Sequence, residues 1–384
     1  MGAVDLDLLE KFGLDPTVLH LNHGAFGVAP ITVRREAEAW RDRAERNPNR
    51  FNGAELPELV AQARGRAAEW IGVDAESVGW VRNVSEGASA VISSLDLEPG
   101  DQIVVCNHGY GAVRMAAEHW ATRRGGSVQV ADFPLGAEDD EIVAAFSSVC
   151  GPRTRLVIVD QITSPTATVL PVAGIAAAVE APVLVDAAHV PGTLPVDIEG
   201  LGAAYWVGNL HKWAFTPRGT ALLWTREDLR HRTPPSVLSW QLHDGYAAAF
   251  DHPGTGDYSG WLAAPAGLDF WTEVGGWEQI DRQSAMVEAA QKLLADALGT
   301  SLDGLPANPA PTMRMVRLPD RLFGDDESET RAGRERLSSQ FGIQVPTSRF
   351  EGTEVVRIAG AVYNTPDDYE RLADALLTIA NERS

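Results

Sequence analysis

The feature that most restricts the fold of this 384-residue chain is an alternation of short apolar runs with helical patterns between residues 78 and 224. Such alternation is typical of a mostly parallel, doubly wound sheet, whose ligands bind at the carboxyl ends of the strands. The predicted strands are Val78–Arg82, Gln102–Cys106, Val128–Phe133, Arg155–Gln161, Val183–Asp186, Ala204–Val207 and Ala221–Trp224. The predicted helices between them are Ala112–Arg123, Asp140–Val149 and Val172–Val179.

The segments on both sides of this alternation have a different pattern. Helices are predicted before it at Thr32–Asn47 and Leu56–Ile71, where cap and stop signals flank periodic residues. After about residue 275 an α+β unit is predicted, with helices at Trp277–Leu298, Ala332–Phe341 and Asp367–Asn381 and strands at Met313–Leu318 and Val355–Ile358. We therefore expect a large domain over residues 15–275 and a small C-terminal domain over residues 276–384, completed by residues 1–30.

Charge and cysteine content exclude several classes of function. The chain has 32 Lys and Arg against 53 Asp and Glu, a net charge of −21, so it repels nucleic acid and anionic membranes. Its two cysteines, Cys106 and Cys150, lie in apolar elements, which indicates a reducing compartment rather than a disulfide framework. No membrane-spanning or export segment is evident. We expect a cytoplasmic protein without nucleic-acid or membrane partners.

The most informative residue is Lys212, in the sequence Tyr205–Trp213 at the end of a predicted strand. Apolar and aromatic neighbours desolvate the amine, which lowers its pKa toward the neutral form that Schiff-base chemistry needs. A surface lysine just past a strand is the ordinary alternative. The neighbouring motifs favour the nucleophile.

An acid ends the apolar strand Val183–Asp186, 26 positions before the lysine. An Asp at this place can pair with a pyridinium nitrogen and keep a cofactor ring in its electron-accepting form. A turn or capping aspartate is the structural alternative. His189, three residues later, could contact a ring hydroxyl or orient Asp186.

Residues 83–89 follow another strand and begin a predicted helix with small polar side chains. Free N–H groups at such a helix start bind phosphate, although many helices begin this way without a ligand. The glycine cluster at residues 254–260 lacks the GxGxxG spacing, so a nicotinamide cofactor is disfavoured. No HExxH motif is present, and a metal site is not predicted.

These pieces together resemble the class V aminotransferase family of pyridoxal 5′-phosphate (PLP) enzymes, in its isopenicillin N epimerase-like and cysteine desulfurase-like branch. The resemblance spans nearly the whole chain in seven ordered places. They are Leu21–Gly27, His108–Val113, Thr163–Thr166, Asp186–His189, His211–Trp213, Gly254–Thr255, and Arg357 followed by Tyr363–Thr365. The fold implied is that of aspartate aminotransferase, fold type I, as a homodimer with shared active sites.

The resemblance also implies a role for individual residues. Lys212 would form the Schiff base with PLP and Asp186 would pair with the ring nitrogen. Tyr110 would stack on the ring, with Ser164 and His189 near its hydroxyl. Ser85, the Glu86 backbone and His211 would hold the phosphate, with Thr255 from the partner subunit. Arg357 would clamp the substrate carboxylate through its guanidinium. His23 and Arg50 are further substrate-side candidates.

Two departures from the family pattern affect the expected reaction. Relatives carry an arginine at the position of Gly256, so this chain lacks one cation near the cofactor or substrate. No cysteine lies between Ile343 and Glu354, where desulfurases carry their persulfide-forming residue. Desulfuration by that route is therefore excluded, and Cys106 and Cys150 are predicted to be dispensable.

We expect an enzyme in which Lys212 removes the α-proton of an amino acid. Epimerisation of the isopenicillin N type is the first choice, and C–S lyase chemistry resembling the ergothioneine-pathway lyases is the second. Transamination remains open, because all three reactions share the first step. A non-catalytic PLP-fold regulator is an alternative from another class, although such a protein would not need Asp186, Lys212 and Arg357 together.

Overall fold

A computed structural model of the protein describes residues 6–382. Its strands are β1 Leu19–His20, β2 Val78–Val81, β3 Gln102–Cys106, β4 Ser127–Ala131, β5 Thr154–Asp160, β6 Val183–Asp186, β7 Tyr205–Asn209, β8 Ala221–Thr225, β9 Met313–Arg317, β10 Ile343–Gln344, β11 Thr347–Phe350 and β12 Thr353–Ala359. Its helices are α1 Leu6–Glu10, α2 His23–Phe26, α3 Ile31–Arg46, α4 Pro48–Arg50, α5 Leu56–Ile71, α6 Val84–Ser93, α7 Gly111–Arg123, α8 Asp139–Val149, α9 Val172–Ala178, α10 Leu210–Trp213, α11 Tyr246–Asp251, α12 Ser259–Leu262, α13 Ala264–Glu273, α14 Gly276–Leu298, α15 Glu327–Phe341 and α16 Pro366–Asn381.

A seven-stranded sheet forms the centre of the molecule, in the order β2-β8-β7-β6-β5-β3-β4. Strand β8 runs antiparallel to both neighbours, whereas the other contacts between adjacent strands are parallel. The central strands are apolar and buried on both faces, as expected for a sheet covered by helices. The predicted α/β fold with a mostly parallel sheet is confirmed.

The strand register brings the predicted chemical residues to one edge of this sheet. Asp160 is paired with Asp186 at the carboxyl ends of β5 and β6. Strand β7 ends at Asn209, and the single turn α10 follows at once and carries Lys212. The cofactor candidates from separate parts of the chain therefore converge where ligands bind in such sheets.

A smaller antiparallel sheet, in the order β11-β12-β9, occupies the C-terminal part of the chain. Helices α14 and α16 pack with it around an apolar cluster that includes Leu21. Strand β1 pairs with β10, so the start of the chain adds to this unit. The division at residues 275 and 276 stays a prediction, as does completion by residues 1–30, of which 1–5 lie outside the described residues.

Several local boundaries differ from the sequence prediction for identifiable reasons. Helix α15 begins at Glu327 rather than Ala332 because Asp326 accepts hydrogen bonds from two backbone amides of its first turn. Strand β11 was not predicted, since Thr347–Phe350 are mostly half-exposed and lack an apolar alternation. Helices α11 to α13 lie in a segment where glycine, proline and aromatic residues obscure a helical period. Within residues 6–382 no helix is long and apolar enough to cross a membrane.

Candidate active site

Lys212 lies in a cavity of about 180 Å³ at the carboxyl edge of the main sheet. Only 8% of the residue is exposed. Burial lowers the pKa of its amine to about 8, with a partly opposing effect from the negative charge of Asp186. A larger neutral fraction is thus present near neutral pH than for an ordinary lysine, as a Schiff-base lysine requires.

His189 contacts Lys212 directly. The distance between His189 Nε2 and Lys212 Nζ is 3.2 Å. On the other side of the ring, the Trp213 indole N–H donates to His189 Nδ1 at 3.4 Å. Burial, reinforced by the charge of Lys212, holds the pKa of His189 well below its usual value, so the imidazole is neutral. It therefore lies beside the nucleophile, and its contact with a ring hydroxyl or with Asp186 stays a prediction.

Two buried carboxyl groups, those of Asp186 and Asp160, line the same cavity. Asp186 Oδ1 accepts a hydrogen bond from the Ala188 amide at 3.0 Å, whereas Asp186 Oδ2 is buried without a partner among the described residues. Burial raises the pKa of Asp186 to about 6. Burial and the charge of Asp186 raise the pKa of Asp160 well above its usual value. An orphaned carboxylate oxygen of this kind calls for a cationic or N–H partner from a ligand.

The predicted phosphate cradle lies at the start of α6 and contributes Ser85 to the cavity. The Glu86 amide, which was predicted to hold the phosphate, donates instead to the side chain of Asn83 at 3.0 Å. Because the amide already has this partner, an anion would have to share it, and the Glu86 side chain itself pairs with Arg82. The roles of Ser85 and Glu86 stay predictions.

His211 is also in the cavity, next to Lys212. Its Nδ1 donates to the carbonyl oxygen of Thr220 at 3.0 Å, and burial lowers the pKa of the ring to about 4. The Nε2 atom is left as the one available for a ligand. Asn209 fixes the neighbouring helix start by accepting the Val84 amide at 3.0 Å.

Arg357, on β12, reaches the site from the smaller sheet. Its guanidinium donates to the carbonyl oxygen and the hydroxyl of Ser164, the latter at 3.3 Å, and to Asn22 Oδ1 at 3.0 Å. The Nε atom is buried without a partner in the described part of the chain. Burial lowers the pKa of Arg357 to about 10, which leaves it charged at neutral pH. The remaining N–H can serve an anion such as a carboxylate.

Tyr110 lines the cavity, whereas His23 is buried behind Lys212. Tyr110 lines the mouth of the cavity, half-exposed, and its backbone N–H donates to Asp160 Oδ1 at 3.1 Å. His23 is buried, with one ring nitrogen 2.8 Å from the carbonyl oxygen of Lys212 and the other 3.0 Å from the Tyr363 hydroxyl. Both ring nitrogens of His23 have protein partners, which favours a role in holding Lys212 over a substrate contact.

Five predicted site residues do not line this cavity, namely Glu86, His23 and Arg357, described above, and Thr255 and Arg50. Thr255 lies in a separate cavity of about 520 Å³, formed mainly by residues 217–219 and 253–261. Arg50 is an exposed residue that forms an ion pair with Glu55 at 2.8 Å. Their proposed roles in cofactor and substrate binding stay predictions.

The residues present fit a pyridine ring that carries an aldehyde and a phosphate. A desolvated lysine, a buried carboxylate with a free oxygen and a helix start are within one cavity. Such a ring supplies the capacity to accept the electron pair released when a bond at the α-carbon breaks.

Comparison with known proteins decides the family. The family model "Aminotransferase class-V" matches residues 40–372. The chain belongs to the class V aminotransferase family. This family depends on pyridoxal phosphate, so the predicted family, cofactor and enzyme class are confirmed.

The most similar class V relatives include enzymes of two reaction types. The chain is 32% identical to an isopenicillin N epimerase of Streptomyces clavuligerus, over 96% of each chain. It is also 32% identical to a probable chloroplastic L-cysteine desulfhydrase of Arabidopsis thaliana, over 94% of this chain and 83% of that protein. The first and second choices of reaction are both consistent with the family.

Solved structures have the same fold. A lysine-to-alanine variant of the protein C-DES, with glycine covalently linked to the PLP cofactor, has a TM-score of 0.79 at 22% identity and covers 96% of this chain and 98% of its own. A cysteine desulfurase of Thermococcus onnurineus has a TM-score of 0.78 at 17% identity, over 100% and 99% of the two chains. The predicted fold type is confirmed.

Several residues of the site were not predicted as site residues, among them Asp160, Asn22 and Trp213. Asp160 had a usable signal, because it ends an apolar strand as Asp186 does. Asn22 and Trp213 stood in the motifs that carried the resemblance, but their contacts with Arg357 and His189 depend on tertiary packing. Among residues 6–382, no group of three metal-binding side chains is found.

Proposed function

We propose that this class V enzyme takes the α-proton of an amino acid with the Lys212 amine, and that the α-carbon then receives a proton from solvent on its other face, as an isopenicillin N epimerase-like activity. The observation that carries the proposal is the placement of Lys212 Nζ in the cavity that also holds the orphaned Asp186 oxygen. Arg357 would bind the substrate carboxylate, and the pKa of Lys212 near 8 lets the amine act as a general base at neutral pH.

A second candidate is elimination of a sulfur group from a cysteine-derived substrate. The similarity to a probable L-cysteine desulfhydrase, over most of both chains, favours it. The first step is the same, and the outcome depends on whether the β-carbon of the substrate carries a leaving group. Persulfide formation on the protein is not proposed, because Cys106 is buried in β3, Cys150 follows α8, and neither thiol lines the Lys212 cavity. Burial raises the pKa of both thiols and keeps them protonated.

One assay separates these reactions. The PLP-loaded enzyme is incubated in deuterated water with a panel of amino acids, including L-cysteine, cystine and short peptides with a free α-amino acid end. Epimerisation is expected as exchange of the α-proton with loss of optical purity and no keto acid. Pyruvate with released sulfide would assign the C–S lyase, and the substrate's own keto acid would assign transamination. Absence of all three products across the panel would contradict the proposal and favour the non-catalytic alternative.

We further propose that the enzyme is a homodimer whose active sites are shared. Trp240, Leu238 and Val237 are large apolar residues with exposed fractions of 92%, 62% and 45%, and Val237 borders the cavity that contains Thr255. Phe26, at the mouth of the Lys212 cavity, is 70% exposed. Clustered exposure of this kind marks an interaction surface. A second copy would cover it and bring Thr255 to the partner's phosphate cradle.

Subunit mixing tests this sharing. Lys212→Ala and Thr255→Asp are each expected to inactivate a homodimer, the second because an added negative charge repels phosphate. When both chains are co-expressed in equal amounts, mixed dimers contain one intact site if Thr255 acts across the interface. Activity near one quarter of the wild-type level, about the statistical value for a two-fold dimer, is therefore expected. No recovery, or a monomer by light scattering, would contradict a shared site.

We also place this activity in the cytoplasm, with a small amino acid as its substrate. The acidic surface, with a net charge of −21, supports the absence of nucleic-acid and anionic-membrane partners. The plant relative named above is chloroplastic, so location by fractionation of the source cell is the direct test.

A further inference from the structure

A line of three side chains ends at the reactive amine. The Trp213 indole N–H donates to His189 Nδ1 at 3.4 Å, and His189 Nε2 is 3.2 Å from Lys212 Nζ. All three residues are buried. Trp213 belongs to the one-turn helix that carries Lys212. The same short segment therefore supplies both the amine and the indole N–H that donates to His189.

The donor decides which nitrogen of the imidazole carries the proton. An indole N–H can only donate, so the nitrogen that accepts from Trp213 must present a lone pair. A neutral imidazole has one proton, which then resides on Nε2. His189 Nε2–H therefore points at Lys212 Nζ, and only a neutral amine has a lone pair with which to accept it.

We propose that Trp213 is a positioning residue that sets the tautomer of His189, so that His189 donates a hydrogen bond to Lys212 and favours the neutral, nucleophilic amine. With the opposite tautomer, Nε2 would be an acceptor and would favour the ammonium form. The inference deepens the proposed function, on which it rests for the use made of the amine. The tautomer itself is a property of the protein alone.

Other charged groups near the amine act in both directions. Asp186 and Asp160 favour the ammonium form, whereas Arg357 disfavours it. Around His189, the positive charges of Lys212 and Arg357, and that of His211 when it is protonated, disfavour a doubly protonated ring. Two carboxyl groups therefore favour a charged lysine, and the donor from His189 opposes them through a direct contact.

Close packing keeps the two rings in this arrangement. A methyl group added at Gly24 would lie 3.1 Å from Trp213 Cζ2 and 3.2 Å from His189 Cε1. The backbone of α2 therefore closes over the edges of both rings and leaves the imidazole little room to turn. The close approach of α2 to both rings adds to the hydrogen bond in keeping His189 Nδ1 opposite the indole.

The tautomer can be read by long-range ¹H–¹⁵N correlation spectra of the cofactor-free full chain labelled in histidine. The His189 signals are assigned by their loss in a His189→Gln variant. The wild-type spectrum is expected to show the Nε2–H form, and Trp213→Phe is expected to show the Nδ1–H form or a mixture. An Nδ1–H form in the wild-type protein would overturn the proposal without any need for the Trp213 variant to fold.

The consequence for Lys212 is measured as the rate at which added PLP forms its covalent bond to the cofactor-free protein, followed against pH. The midpoint of this pH dependence is expected to rise by about one pH unit in Trp213→Phe. Below the midpoint, the variant should therefore react about tenfold more slowly than the wild-type protein. Trp271→Phe is the matched control, since its buried indole donates to the Gly192 carbonyl oxygen at 3.1 Å rather than to His189. Equal midpoints in the two variants would overturn the proposal. If PLP does not attach to the wild-type protein at all, the proposed function fails, and the spectra still decide the tautomer.

Discussion

A Lys212→Ala variant is expected to lose at least about 1,000-fold in turnover, because one side chain serves both as the covalent anchor of the cofactor and as the proposed base. The chain has only three lysines, Lys11, Lys212 and Lys292. Borohydride treatment of the PLP-loaded wild-type enzyme should fix the cofactor on the peptide that contains Lys212. The variant should retain PLP only without a covalent bond, and dialysis should remove it.

Lys292→Ala is the control for this experiment. Lys292 is exposed on α14 and paired with Glu288 at 2.6 Å, far in sequence from the site. That variant should keep its turnover and its borohydride-fixed cofactor. Recovery of the fixed cofactor on Lys11 or Lys292 in the wild-type enzyme would show that Lys212 has been assigned the wrong role.

Patterns that depend on neighbours in sequence predicted the fold well. The β6 strand was predicted with its observed ends, Val183 and Asp186. Its three apolar residues follow a proline and end at an aspartate, so the sequence marks both ends of the strand. The placement of Lys212 in a cavity could be expected from its strand-end position. The parallel order of the sheet followed from the alternation of strands with helices.

Contacts between distant residues could not be predicted in this way. Arg357 and Asn22 are 335 positions apart, and their hydrogen bond depends on how the smaller sheet packs against the start of the chain. The Glu86 amide was assigned to phosphate because it belongs to a helix start, yet Asn83 caps it locally. Residue type and spacing identify which groups are available, whereas packing decides which of them already have a partner.

An Asp186→Asn variant is expected to lose at least about 100-fold in turnover, about 2.7 kcal/mol at 1.36 kcal/mol per tenfold change. The amide keeps the shape, and its oxygen can still accept from the Ala188 amide, as Asp186 Oδ1 does at 3.0 Å. What it removes is the charge on the orphaned Oδ2, which would keep the ring nitrogen of the cofactor protonated. Cofactor affinity, measured by equilibrium dialysis, should fall much less than turnover, since the covalent bond to Lys212 and the phosphate contacts remain.

Asp160→Asn is the matched control, because Asp160 ends the adjacent strand, lines the same cavity and accepts a backbone hydrogen bond from Tyr110. It removes a second buried carboxyl group without touching the one that has a free oxygen. Burial and the charge of Asp186 raise the pKa of Asp160 well above its usual value and so disfavour its charged form, and its loss should cost less than about tenfold. If Asp186→Asn and Asp160→Asn lost turnover equally, the loss would be caused by the change in net charge of the cavity. A specific interaction of Asp186 with the ring nitrogen would then be contradicted. Near-full activity of Asp186→Asn on a substrate turned over by the wild-type enzyme would remove the proposed role altogether.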